Sequence, residues 1–325
     1  AAAVEATLRL WGWPSPSASL VDMCRRWPGL LSAPLEDDIL PRLAQLDHLV
    51  REAVLSADAC SRLMVAQPRI LSDYTVKALW RSGDLVAVNK PFDMRIDVPK
   101  GESRRWPEEK TISDWFQAAH PGEKVRFCNQ LDHATSGVLL MAASKAAGRV
   151  GSQMFENRKA RKTYWALVLG TPPWPFGAEQ RLTYRLADGP DGGFARRVAR
   201  DDEPGEEAET FVRVLKAGFW PRREHPEQDP ACVRAALVEC RPHTGRRHQI
   251  RLHLAAAGIP ILGDDTYGGD PYGDKSGTYR MFLHALRLEL PLDGDNAESA
   301  TIEAPCDFAE ELSEPTLGEV EGAGT

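Results

Sequence analysis

The sequence predicts a mixed α and β domain behind an all-helical segment. Three observations carry this. From residue 81 onward, short apolar or alternating runs recur between Gly, Pro and Asp punctuation, as strands do. Between them stand a few stretches with apolar residues every three to four positions, as helices have. Residues 4 to 75 read as helical, with similar apolar spacing at Leu20 and Met23 and again at Cys60 and Leu63.

Within the helical segment, Trp27-Pro28-Gly29-Leu30-Leu31-Ser32 recurs as Gln67-Pro68-Arg69-Ile70-Leu71-Ser72. A shared offset predicts paired helical repeats over residues 1 to 75. The Pro-x-Leu-Leu-Ser ending resembles repeats of the mitochondrial transcription termination factor family, which are helical and bind nucleic acid in organelles. The plain alternative is a helical extension packed on the main domain.

The second domain is expected over residues 81 to 308. Ser82-Gly83-Asp84 turns into a strand at Leu85 to Asn89, ended by Lys90-Pro91. Ile112 to Ala119 is a short helix stopped by Pro121-Gly122. Lys124 to Phe127 and Val138 to Ala142 are strands flanking a turn at Thr135-Ser136-Gly137. Lys145 to Lys159 is a helix with Ala147, Val150 and Met154 on its apolar side. Arg161 to Gly170 alternates as a strand, placing Tyr164, Ala166 and Val168 on one face. Residues 171 to 209 are rich in Gly, Pro and charge and predict an irregular insertion around a short strand. Strands return at Thr210 to Leu215 and Cys232 to Cys240. Arg241 to Leu254 reads as a capped helix with Thr244 near its start and Gly258 after its end. That spacing would put Arg246, Ile250 and Leu254 on one face, and Arg247 and Arg251 on the next. A final strand follows Leu283-His284-Ala285, and residues 309 to 325 are an acidic tail expected to be disordered.

Asp132 is the candidate catalytic residue, a lone carboxylate between two apolar runs, where a turn can aim one acid into a cleft. Asp also commonly caps such turns through its short side chain, so the local pattern leaves both roles open. Tyr164 is a second candidate, with cross-strand packing as the alternative.

Leu131-Asp132-x-x-Thr135-Ser136-Gly137 resembles the signature of the RluA-type pseudouridine synthases, whose aspartate is catalytic. Asn89-Lys90-Pro91 resembles the end of that family's first strand. The stretch from Arg241 to Leu254, followed by Pro260-Ile261-Leu262-Gly263-Asp264-Asp265-Thr266-Tyr267-Gly268, resembles its second signature. Leu283-His284-Ala285 resembles the third. Their order over residues 81 to 308 is far more specific than any single match. The resemblance implies an α+β pseudouridine synthase fold, a bent, mixed, mainly antiparallel sheet with a central cleft. It implies isomerisation of uridine in structured RNA, rRNA or tRNA, to pseudouridine, with no cofactor and no metal.

On that resemblance Asp132, Tyr164 and Arg246 are the catalytic set. Arg246 is expected to hold Asp132 ionised and in position. A stacked uracil cannot reach a cleft, so the nucleotide must flip out, and Tyr164 would offset part of the unstacking by stacking on the base. Ile250 and Leu254 would wall the base, and Lys162, Arg247 and Arg251 would bind phosphates. Gln130 stands where many bacterial members have Arg, and Gln can hydrogen-bond to RNA but cannot supply that charge; Gln-Leu-Asp wording resembles animal RNA-pseudouridylate-synthase-domain proteins. A catalytically silent RNA-binding or chaperone protein on the same fold is the alternative function.

The composition agrees with an RNA partner once charge is mapped locally. The chain has 325 residues, 42% of them hydrophobic, and a formal net charge of -7. Yet Lys145 to Lys162 holds six basic residues against Glu156, and Arg241 to Arg251 holds four arginines and no acid. Six cysteines without a Cys-x-x-Cys pair suggest neither zinc nor disulfides, and point to an intracellular setting, cytoplasm or an organelle such as a mitochondrion or plastid. His243, His248 and His253 lack an acid or thiol at ligand spacing, so a structural role is expected for them. No apolar run is long enough to span a bilayer, so no membrane partner is expected, and the protein is expected to be a monomer. The start, Ala-Ala-Ala-Val-Glu, has no leader pattern and no initiator Met, so the natural N-terminus is not expected here.

Overall fold

The computed structural model describes residues 76–104, 110–189, 195–221, 232–271, 278, 280–291, 299–306 and 308–313. The helical repeats expected over residues 1 to 75 lie outside the described residues, as does the acidic tail expected over 309 to 325 from residue 314 on; its first residues are ordered instead, with Leu312 buried and Ser313 bridged to Phe219. In chain order the elements are β1 (Lys77–Ser82), β2 (Leu85–Lys90), α1 (Ile112–Ala119), β3 (Arg126–Phe127), β4 (Ser136–Ala142), α2 (Lys145–Glu156), β5 (Arg161–Leu169), β6 (Glu179–Leu182), β7 (Leu186–Asp188), β8 (Arg196–Val198), β9 (Thr210–Trp220), β10 (Val233–Pro242), α3 (Gln249–Ala256), β11 (Leu283–Pro291) and β12 (Ser299–Glu303).

Every residue of β4 is buried, which only a strand in the middle of a sheet, covered on both faces, achieves. The sheet runs β1-β2-β4-β11-β5-β10-β9-β6, with β3 beside β4 and β12 beside β11, while β7 and β8 form a separate hairpin. Among the described strands the pairings are antiparallel, except that β4 runs parallel to β11 over two residues, Ser136 with His284 and Gly137 with Ala285. Gly137 makes that contact possible. Its φ is +107°, and a Cβ there would collide with the Ala285 backbone, so only glycine fits.

One apolar cluster lies under β5, β9 and β10 and takes in Ile250 and Leu254 of α3. Another joins Leu131, Phe116, Leu139 and Ala285. Tyr164 packs against both clusters, which puts it at the seam between the two halves of the sheet.

Three sequence expectations change. The insertion over 171 to 209 holds three short strands, one joining the main sheet and two forming the hairpin. In α2 the inward face is Gly148, Gly151 and Met154, whereas Val150 is 42% exposed. The glycines let the helix press closer than any side chain allows, since a Cβ on Gly151 would overlap Cys128 Sγ. Finally, no helix spans Arg241 to His248. β10 continues through Pro242, a turn follows, and α3 starts only at Gln249, behind His248 in a left-handed conformation (φ 57°). Pro242 and Gly245 are poor helix formers, and this explains the late start.

Candidate active site

Asp132 sits just before β4 in a loop held from three sides. Leu131 is buried in the core. The Thr135 amide donates to the Asp132 carbonyl at 3.1 Å. The buried Lys90 ammonium donates to the carbonyls of Pro91, Met94 and His133, each at 2.8 Å. The next residues are fixed through Ser136. Its hydroxyl accepts from Arg280 Nη2 at 2.5 Å and lies 2.8 Å from His284 Nδ1. Because His284 Nε2 faces the Ala304 carbonyl at 3.2 Å, that nitrogen carries the proton and Nδ1 accepts from Ser136.

The loop is tied down by these groups, so the Asp132 carboxylate is not spent on capping it. Oδ2 accepts from Arg251 Nη1 at 3.0 Å, and Oδ1 lies 3.8 Å from His248 Nε2. Arg251 is itself clamped, donating from Nε and Nη2 to Asp264 at 2.7 and 2.8 Å. Burial works against the Arg251 charge, but Asp264 and Asp132 outweigh it and raise the guanidinium above its usual range. Its carbon also lies 4.9 Å from the centre of the Tyr267 ring.

Asp132, His248 and Arg251 border a cleft of about 620 Å³ whose walls include Gln130, Lys162, Tyr164, Arg246, Arg247 and Ile250. The volume is within the roughly 300–1,000 Å³ common for ligand sites. Tyr164 enters from β5. Burial, and then the charge of Asp132, push its phenol well above the usual range, so the hydroxyl keeps its proton. Two residues earlier on the same strand face, Lys162 donates to the Thr244 carbonyl at 3.1 Å, and burial pushes its ammonium down to about 8.

A family model described as RNA pseudouridylate synthase matches residues 84–256. The chain belongs to this family. It is an isomerase of the pseudouridine synthase class. RNA pseudouridylate synthase domain-containing protein 1 of Danio rerio is 34% identical over 259 residues, covering 76% of this chain and 79% of its own length. The tRNA pseudouridine synthase C of Salmonella typhi is 35% identical over 223 residues, 66% of this chain and 80% of its own. The solved structure of human RNA Pseudouridylate Synthase Domain Containing 1 superposes with a TM-score of 0.59 at 29% identity, covering 74% of this chain and 87% of that one. The expected pseudouridine synthase fold is therefore present, with its mixed, mostly antiparallel sheet.

Within this pseudouridine synthase the structure brings together Asp132, Tyr164, Lys162, Gln130, Ile250 and Arg251. It does not bring Arg246 to Asp132. The Arg246 guanidinium meets Glu206 at 3.1 Å and the Glu207 carbonyl at 3.2 Å, because the turn before α3 carries it to the cleft's rim. Arg251, expected as a phosphate ligand, is instead the partner of the aspartate. Leu254 is also displaced from its expected role: it is fully buried in the core and does not reach the cleft. Arg247 stays at the cleft wall, 4.0 Å from Asp188. His248, Asp264 and Tyr267 were not expected at the site. Pro242 and Gly245 signal a late helix start but leave Arg246, Arg247 and Arg251 all beyond them; Arg251 is the single arginine only of the helix that forms, Gln249–Ala256.

Proposed function

We propose that this protein converts specific uridines of structured RNA, rRNA or tRNA, to pseudouridine with Asp132 as catalytic residue. The observation that carries the reading is the Asp132 carboxylate, freed from its own turn, paired with Arg251 and bordering the same cleft as Tyr164. In the reaction the N-glycosidic bond breaks, uracil turns in place, and a bond forms from C5 to the sugar. An ionised carboxylate serves this by attacking the sugar or base, or by removing a sugar proton.

The target nucleotide leaves its stack to enter the cleft, at a cost of a few kcal/mol. Tyr164 offers an aromatic face that offsets part of this, and Ile250 supplies apolar wall. Lys162 and Arg247, with Gln130 at the mouth, face the RNA backbone. The names of the relatives favour tRNA as one substrate class. Residues 1 to 75, with their repeated Pro-x-Leu-Leu-Ser ending, are assigned to holding or selecting the RNA, and the protein acts as a monomer.

Formation of the new bond expels the C5 hydrogen, so RNA tritiated at uracil C5 reports turnover. Asp132→Asn keeps the shape and removes the charge. It is expected to abolish tritium release while retaining the fold and RNA affinity. Full turnover by the pure variant refutes the assignment. Absence of turnover in both proteins, with equal RNA binding, favours the silent RNA-binding alternative.

A further inference from the structure

His248 and Tyr267 belong to no role assigned so far, yet they close a chain of contacts onto the free oxygen of Asp132. Tyr267 Oη lies 2.7 Å from His248 Nδ1 and accepts the Arg196 amide at 3.1 Å. Arg196 begins β8, so the chain of contacts starts on the hairpin that stands apart from the main sheet. The Tyr267 amide donates to Asp264 Oδ1 at 3.3 Å, and its ring lies beneath the Arg251 guanidinium. One tyrosine thereby touches both groups that face Asp132.

We propose that Tyr267 and His248 form a positioning relay, in which Tyr267 donates to Nδ1 and thereby presents an Nε2–H to Asp132 Oδ1. The proposal rests on the reading of Asp132 as catalytic residue. The Arg196 amide occupies one acceptor site on the phenol oxygen, and the phenol hydrogen is left to point at Nδ1. A neutral imidazole accepting at Nδ1 carries its proton on Nε2.

The groups facing the imidazole suit a neutral ring. Burial pushes the His248 pKa down; Asp132 pulls it up, and Arg251 and Arg247 push it down again, while Asp264 raises it. Burial also raises the Tyr267 phenol, so it retains the proton it donates. Neutrality matters because an imidazolium would form a second ion pair with Asp132 and blunt the charge the reaction uses. At 3.8 Å the Nε2–H steers Oδ1 without yet bonding it, and such contacts tighten when substrate closes the site.

The left-handed backbone at His248 strains any substituent alike, so two variants of similar shape separate donor from filler. Gln places an N–H near the Nε2 position; Met does not. Steady-state tritium release, RNA affinity and thermal stability are measured for wild type, His248→Gln, His248→Met, Tyr267→Phe and Asp132→Asn. The relay predicts kcat down about ten- to a hundredfold for His248→Met, the effect of losing a hydrogen bond to a charged group. RNA affinity stays within about twofold, and His248→Gln recovers to within about fivefold of wild type. Tyr267→Phe, which keeps the ring under Arg251, falls between. Equal loss in the Gln and Met variants, or loss in affinity and thermal stability without a kcat difference between them, overturns the relay. An active Asp132→Asn variant overturns the underlying reading instead, whatever the histidine variants do.

Discussion

Arg251 Nη1 donates to Asp132 Oδ2 at 3.0 Å across a sequence separation of 119 residues. The same guanidinium binds Asp264 with its other two nitrogens, so the aspartate's partner has no freedom to leave. A fork clamped on one side by a buried carboxylate presents its remaining N–H in a fixed direction.

Replacing Arg251 should therefore cost both rate and stability. Asp264 is 1% exposed, and removing its partner leaves a buried charge uncompensated, a loss of about 3–5 kcal/mol. Arg251→Lys keeps a charge but cannot span both acids, so we expect kcat down at least about a hundredfold and a lowered urea midpoint. Arg246→Gln, in contrast, should alter RNA affinity with kcat within about threefold. A reversed ranking in tritium release and urea titration would return Arg246 to the aspartate.

Tyr164 gives a second contrast. Tyr164→Phe retains the ring and should bind RNA normally but turn over slowly, whereas Tyr164→Ala should lose about 1–3 kcal/mol of binding as well. If the two variants bind RNA alike, the ring does not stack on the base. Because Tyr164 packs on two apolar clusters, thermal stability is recorded alongside.

Lys162 predicts a pH effect whose direction differs for folding and for binding. Burial lowers its ammonium to about 8, below the roughly 10.4 of an unfolded lysine. Between those values the unfolded chain holds more protons, so this residue's contribution to stability rises with pH through that window and is least favourable below about 8. RNA affinity moves the other way as the free protein's Lys162 loses its charge. Fluorescence anisotropy at pH 7 and pH 9 should show a larger loss of affinity for wild type than for Lys162→Met. Identical pH responses would exclude Lys162 as a titrating RNA contact.

Gly137→Ala tests the junction of β4 with β11. The left-handed backbone alone costs about 1–2 kcal/mol, and the new methyl meets the Ala285 carbonyl. The variant should be destabilised by at least about 2 kcal/mol in urea unfolding. A wild-type midpoint would mean the two strands part freely.

Most of the elements were legible in the sequence because their signals are local. Ile112 to Ala119 matches α1, and its Thr111–Asp114 capping box is the reason the helix starts there. The strands at β2, β4 and β5 follow from apolar runs bounded by turn residues. The insertion over 171 to 209 reads as holding one short strand where it has three, β6, β7 and β8, since these three- and four-residue strands are rich in charge and carry no clear alternation. The periodic pattern runs through Pro242 and Gly245, whereas α3 starts only at Gln249, so Arg246, expected at the aspartate from the family resemblance, lies on the preceding turn beside Glu206.

By itself, then, the sequence determined the family, the sheet-rich fold, and Asp132 and Tyr164 as the residues to examine, because motifs and short-range periodicity are written in consecutive residues. Only the tertiary structure decided which arginine faces the aspartate, that Leu254 is core, and that His248 faces the carboxylate, with Tyr267 behind His248 and Asp264 behind Arg251. Those outcomes depend on where one turn ends and how distant segments meet, and side-chain direction at a contact made across 119 residues is set by packing, which no local pattern encodes.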